Sequence, residues 1–117
     1  MTNPDWAPLS YSPAGVPEID PAWLESNREA VQVLDVRELP EFNGPLGHIT
    51  GSILIPLGAL PDRFAELPHE KPTVVVCRSG VRSAQAAAFL RSAGFEKVAN
   101  LSGGMMRWRT EGRPVEY

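Results

Sequence analysis

The chain has 117 residues, of which 43% are apolar and 21% charged, and its net charge is -3. This length argues for one domain, which buries roughly two-thirds of its unfolded surface without staples. The acidic balance argues against nucleic acid or an anionic membrane as the main partner. A single cysteine, Cys77, excludes an internal disulfide. His48 and His69 are too isolated to suggest a metal site, and no cofactor is expected. Residues 1–6 lack the basic-then-apolar pattern of a secretory leader, and no apolar run approaches membrane-spanning length. A soluble, cytoplasmic protein is expected.

Residues 1–17 hold Pro4, Pro8, Pro13 and Pro17 without periodicity. They read as an irregular arm, with Trp6, Leu9 and Tyr11 available to pack it down. Asp20-Pro21 has the form of an N-cap followed by proline at the first helical position, so a short helix is predicted over 21–28. The β-branched run 31–36 predicts a strand. Residues 37–47 read as a loop broken by Pro and Gly. A second strand is predicted over 52–55, stopped by Pro56, and a helix over 60–67. Residues 73–77 form the clearest strand, apolar on both faces as in a central parallel strand. Ala86, Phe89, Leu90 and Ala93 fall on one helical face, which predicts a helix over 83–93 with Gly94 at C′. A strand over 98–101 and a final helix over 105–111 complete the order. Alternating helices and strands argue for an α/β fold with a mostly parallel sheet covered on both faces. Sites in such folds lie beyond the carboxyl ends of the strands, which is where Cys77 sits.

Behind Cys77 comes Arg78-Ser79-Gly80-Val81-Arg82-Ser83. The reactive form of cysteine is the thiolate, and electropositive surroundings favour it. The loop N–H groups can curl around an anion, the following helix points its positive end at the same place, and Arg78 and Arg82 add charge. Gly80 gives the freedom a tight curl needs. Ser79 and Ser83 can donate hydroxyls, and Ser83 can also cap the helix. Against this stands the common role of free cysteine as a small buried hydrophobe. That role does not require two arginines and a glycine within five residues.

The stretch Cys77-Arg78-Ser79-Gly80-Val81-Arg82-Ser83 resembles the active-site loop of the rhodanese sulfurtransferase family. The resemblance runs from about residue 19 to 115. It takes in Leu34-Asp35-Val36-Arg37-Glu38 with Glu41-Phe42, then Gly47-His48-Ile49-Thr50-Gly51-Ser52 with Ile55-Pro56-Leu57. It ends with Leu101-Ser102-Gly103-Gly104, Trp108, Gly112 and Pro114-Val115. Asn43-Gly44-Pro45-Leu46 lengthens the loop before His48, and residues 1–18 have no counterpart. The resemblance implies an arm over 1–18 and a single rhodanese-like domain over 19–117, a three-layer α/β fold. It implies that Cys77 accepts a sulfane sulfur from a donor such as thiosulfate, holds it as a persulfide and passes it to cyanide or a thiol. The N–H groups from Arg78 through Ser83 would cradle the terminal sulfur, and Arg82, with Arg78, would bind the anionic donor. A sulfur-accepting protein is a further expected partner.

Two rival readings stay open: a rhodanese fold used only for binding, and a phosphatase or arsenate reductase of related fold. Those enzymes resemble a pattern of cysteine, five residues, then arginine. Here Arg82 follows Cys77 after four, a smaller ring better suited to sulfur than to a phosphoryl group. Asp35 and Arg37 lie at the site edge, where they can steer a substrate or form a structural ion pair. His48 can be a general base or a hydrogen-bonded loop residue. Met105, Met106 and Trp108 are expected in the core and His69 on an exposed turn. Without a second thiol, a persulfide cannot collapse into an internal disulfide, so the sulfur must leave to a small molecule or a partner.

Overall fold

A computed structural model describes residues 10–13 and 15–117. The strands are β1 (Ser10–Tyr11), β2 (Pro17–Ile19), β3 (Gln32–Asp35), β4 (Ile53–Leu54), β5 (Thr73–Val76) and β6 (Val98–Leu101). The helices are α1 (Pro21–Ser26), α2 (Leu39–Phe42), α3 (Leu60–Arg63), α4 (Val81–Ser92) and α5 (Gly104–Thr110). The strands form one six-stranded sheet in the order β1-β2-β6-β5-β3-β4. Among the described strands only the β1–β2 pair is antiparallel.

The pleat explains why the central strands read as unbroken apolar runs. Successive side chains point to opposite faces of the sheet, and both faces are covered. Val75 and Cys77 join Leu34, Val36 and Val98 beneath α4, packed on Ala86, Ala87 and Leu90. Val74 and Val76 join Val33, Ala99 and Leu101 against Leu24 of α1 and Met105 and Trp108 of α5. Each fully buried valine or leucine here is worth about 1.5–3 kcal/mol over an exposed one. The sheet therefore has helices on both faces, as the sequence predicts, and β5 lies inside it.

Several boundaries differ from the sequence expectation, each for a local reason. The strand expected over 31–36 covers Gln32–Asp35, that over 52–55 covers Ile53–Leu54, and that over 73–77 stops at Val76. The helix expected over 21–28 ends at Ser26, and a 3-10 turn, Arg28–Ala30, follows. The one expected over 60–67 divides into α3 and a 3-10 turn, Phe64–Glu66. Asp20 is the N-cap of α1 but makes no side-chain cap; its carboxylate accepts from Arg107 of α5 at 2.9 Å. The loop 37–47 contains α2, which the Pro40 signal conceals, although proline is tolerated in a first helical turn. The arm is not wholly irregular: Ser10–Tyr11 pairs with Pro17–Ile19. Tyr11 is 63% exposed and packs nothing down, while Trp6 and Leu9 lie outside the described residues. Gly94 does follow α4 with φ +104, the left-handed conformation of a C′ glycine. Met105 and Trp108 are buried but Met106 is exposed. His69 is exposed, as expected. Among the described residues, no helix is long and apolar enough to cross a membrane.

Candidate active site

Cys77 leaves β5 and enters the loop that starts α4, and only 1% of its surface is exposed. Its Sγ accepts hydrogen bonds from the Gly80 N–H at 3.0 Å and the Ser83 hydroxyl at 3.2 Å. Gly80 makes this possible by adopting φ +106, a value that L side chains avoid. Gly80 is also the N-cap of α4, so the helix begins at Val81 rather than Ser83. Ser83 is thus not the capping residue: it lies in the first turn, buried, with its hydroxyl turned toward the sulfur.

Burial alone pushes the Cys77 thiol pKa up. The Ser83 hydroxyl and the N–H groups of Ser83, Gly80 and Ser79 pull it down by more, so the net position is below that of an ordinary cysteine. The cause is hydrogen bonding to the charged form, which the strand–loop–helix turn supplies from its own backbone.

The loop faces its N–H groups inward because its carbonyls are held from outside. Cys77 O accepts from Met105 N at 2.9 Å and Arg78 O from Met106 N at 3.0 Å, both at the start of α5. Gly104 allows this close approach: a Cβ there would lie 2.6 Å from both carbonyl oxygens. Gly80 O accepts from Asn100 Nδ2 at 3.0 Å. Asn100 in turn donates to Glu18 Oε2 at 2.8 Å and accepts from the Ser83 hydroxyl through Oδ1. Glu18 and Asn100 are register partners across β2 and β6.

The other residues singled out in the sequence fall into four groups. Arg78, Ser79 and Val81 lie on the exposed side of the loop, Val81 at 65%. Among the described residues the Arg78 side chain has no carboxylate partner, whereas the Arg82 guanidinium is clamped by Glu41, at 2.7 and 2.8 Å. The Arg82 hydrogen bonds hold the Glu41 carboxyl at a pKa of about 2, against an ordinary 4.5. Asp35 and Arg37 form a buried bidentate pair, at 2.9 and 2.8 Å. Arg37 also donates to the carbonyls of Glu41 and Gly47, at 3.2 and 2.8 Å, closing the loop between them. His48 takes the structural option: Nδ1 lies 2.9 Å from Phe42 O, and the ring stacks on Phe42 at 3.7 Å. A cavity of about 370 Å³ opens beside the loop, lined by Arg37, Glu41, Pro45, Leu46 and Arg78.

Sequence reasoning missed Asn100, Glu18 and the clamp role of Glu41. Glu41 was visible as part of a motif. The other two are brought to the loop by strand pairing, for which the sequence carries no local signal.

Comparison with known proteins agrees with this geometry. A family model described as Rhodanese-like domain matches residues 20–111. The chain is 36% identical over 103 residues to a sulfurtransferase of Allochromatium vinosum, covering 86% of this chain and 94% of that one. It is also 36% identical over 94 residues to the probable adenylyltransferase/sulfurtransferase MoeZ of Mycobacterium tuberculosis, covering 79% of this chain but only 23% of that much longer protein. The crystal structure of a rhodanese-related protein from Thermoplasma volcanium superposes with a TM-score of 0.78 at 38% identity, covering 83% of this chain and 94% of that one. The chain belongs to the rhodanese-like domain family.

Proposed function

We propose that the chain is a sulfurtransferase in which Cys77 alternates between thiolate and persulfide. The observation that carries the reading is the Cys77 sulfur, buried at the mouth of α4 and met by the Gly80 N–H and the Ser83 hydroxyl. In the loading step, thiolate Sγ attacks the sulfane sulfur of a donor such as thiosulfate. The donor's S–S bond breaks, and sulfite leaves with the bonding pair. The terminal sulfur then carries the negative charge, and the oriented N–H groups of the loop from Arg78 through Ser83 stabilise it without reorganisation. In the unloading step, cyanide or a thiolate attacks the terminal sulfur, and the Sγ–S pair returns to Cys77. No separate base is required once the thiolate exists.

The two arginines divide their work. Arg78, exposed and without a carboxylate partner among the described residues, attracts the anionic donor, and the adjoining cavity gives that donor room. Arg82, shared with Glu41, fixes the first turn of α4. The acceptor is a small thiol or cyanide, or the thiol of a sulfur-accepting protein, and the setting is the cytoplasm. The four residues between Cys77 and Arg82 favour sulfur over a phosphoryl group.

The test is thiocyanate formation from thiosulfate and cyanide. Wild type is expected to turn over and Cys77→Ser to be inactive; equal rates would end the proposal. Mass spectrometry after thiosulfate alone is expected to find one added sulfur on Cys77. Turnover of an aryl phosphate in its place would favour the phosphatase reading.

A further inference from the structure

Ser83 Oγ lies within hydrogen-bond reach of two acceptors, Cys77 Sγ at 3.2 Å and Asn100 Oδ1. A hydroxyl carries one proton, so it serves one acceptor at a time. Asn100 cannot end the competition by turning its amide over. Its Nδ2 already donates to Gly80 O at 3.0 Å and to the Glu18 carboxylate at 2.8 Å. A flipped amide would set its oxygen against both of those acceptors. Glu18 and Asn100 are themselves fixed by strand register, and Ser83 and Asn100 are both buried.

We propose that Asn100 is a positioning residue for Cys77, acting through Ser83 by competing for its single hydroxyl proton. When Cys77 is a thiol, S–H donates to Ser83 Oγ and the hydroxyl donates to Asn100 Oδ1. When Cys77 is a thiolate, the hydroxyl turns to Sγ. When Cys77 carries a persulfide, the charge has moved to the terminal sulfur, Sγ is neutral, and the hydroxyl returns to Asn100. Ser83 therefore stabilises the thiolate but not the persulfide. It favours the departure of Sγ with its electron pair as the acceptor takes the terminal sulfur. That last step rests on the sulfurtransferase reading; the shared proton does not.

Among the described residues, the charged groups around the sulfur are Arg78 in the loop, Arg82 of α4 with Glu41 of α2, the Asp35–Arg37 pair at the end of β3, and Glu18 of β2 behind Asn100. A substitution at Asn100 also removes the donor to Glu18 and Gly80, so the part that runs through Ser83 is read as the difference between backgrounds with and without that hydroxyl. Cys77 is the only cysteine, so its alkylation by iodoacetamide across pH reads its ionisation without any sulfur donor. Ser83→Ala is expected to raise the midpoint. Asn100→Leu leaves the hydroxyl only the sulfur to bond, and through Ser83 should increase the acid constant about three- to tenfold, the range of one hydrogen bond between neutral groups. In the Ser83→Ala background the same substitution reads only the loss of the Gly80 and Glu18 contacts, so the midpoint should fall further, or rise less, with Ser83 present than without it. Equal shifts in both backgrounds, or a more upward shift with Ser83 present, would overturn the proposal.

If Asn100→Leu does not fold, Asn100→Ala removes the same acceptor with a smaller side chain. A midpoint that falls further, or rises less, with Ser83 present than in the Ser83→Ala background supports the proposal, and equal shifts overturn it. Thiocyanate formation by wild type is measured in parallel. Its absence would remove the sulfurtransferase reading while leaving the cycle of midpoints to decide the role of Asn100.

Discussion

Two carboxylate–arginine pairs flank the site, alike in chemistry and unlike in setting. Asp35–Arg37 is sealed in, each side chain 1% exposed. Glu41–Arg82 sits at the rim, about one-third exposed on both sides. The pairs are connected, because Arg37 also donates to the Glu41 carbonyl. The inner pair fixes the loop that carries the outer pair's carboxylate. The difference teaches that a buried pair holds the fold together because neither charge can be left alone, whereas a rim pair is adjustable and light in energy.

The largest expected effect comes from breaking the inner pair. Arg37→Leu leaves the Asp35 charge buried and uncompensated, and should cost about 3–5 kcal/mol in chemical denaturation. Replacing both partners, as Asp35→Asn with Arg37→Met, should restore part of that loss. A single and a double variant of equal stability would show that the inner pair is no different in kind from the outer one. At the rim, Arg82→Ala should cost less than about 1 kcal/mol in chemical denaturation. A large loss of stability there would erase the distinction.

The smallest effect is in the pH dependence. Glu41 has a folded pKa of about 2, depressed from 4.5. Its contribution is therefore complete above pH 4.5 and is lost as pH falls through 4.5 toward 2. Glu41→Gln should flatten acid unfolding in that window and leave stability at neutral pH within about 1 kcal/mol. An unchanged acid limb would show that the clamp is too well solvated to matter.

What the sequence discloses here is what neighbours along the chain decide. The valines of β5 declare a strand buried on both faces, and the cysteine and glycine behind it declare a tight turn whose N–H groups face the sulfur. The ion-pair reading of Asp35 and Arg37 and the hydrogen-bonded reading of His48 both hold. The misses are of two kinds. Short elements such as α2 and β1 lie below the length at which periodicity is visible, and the prolines within or beside them in the sequence read as breakers. The start of α4 was placed two residues late because Gly80, in a left-handed conformation, closes the first turn itself. Asn100, Glu18 and Gly104 belong to the second kind. Their roles depend on β6 lying beside both β2 and β5, and on α5 returning to the end of β5. No local pattern encodes that adjacency.

The contact between α5 and the Cys77 loop also has a consequence for how the protein is made. The carbonyls of Cys77 and Arg78 are held by N–H groups nearly thirty residues later, and Asn100 bonds the Gly80 carbonyl from the strand before. A ribosome delivers the thiol well before it delivers the groups that shape its surroundings. Until residues 98–106 have emerged and docked, the Cys77, Arg78 and Gly80 carbonyls lack these partners. The rate at which Cys77 meets an alkylating probe is therefore expected to change as residues 98–106 emerge, which stalled chains of increasing length would show.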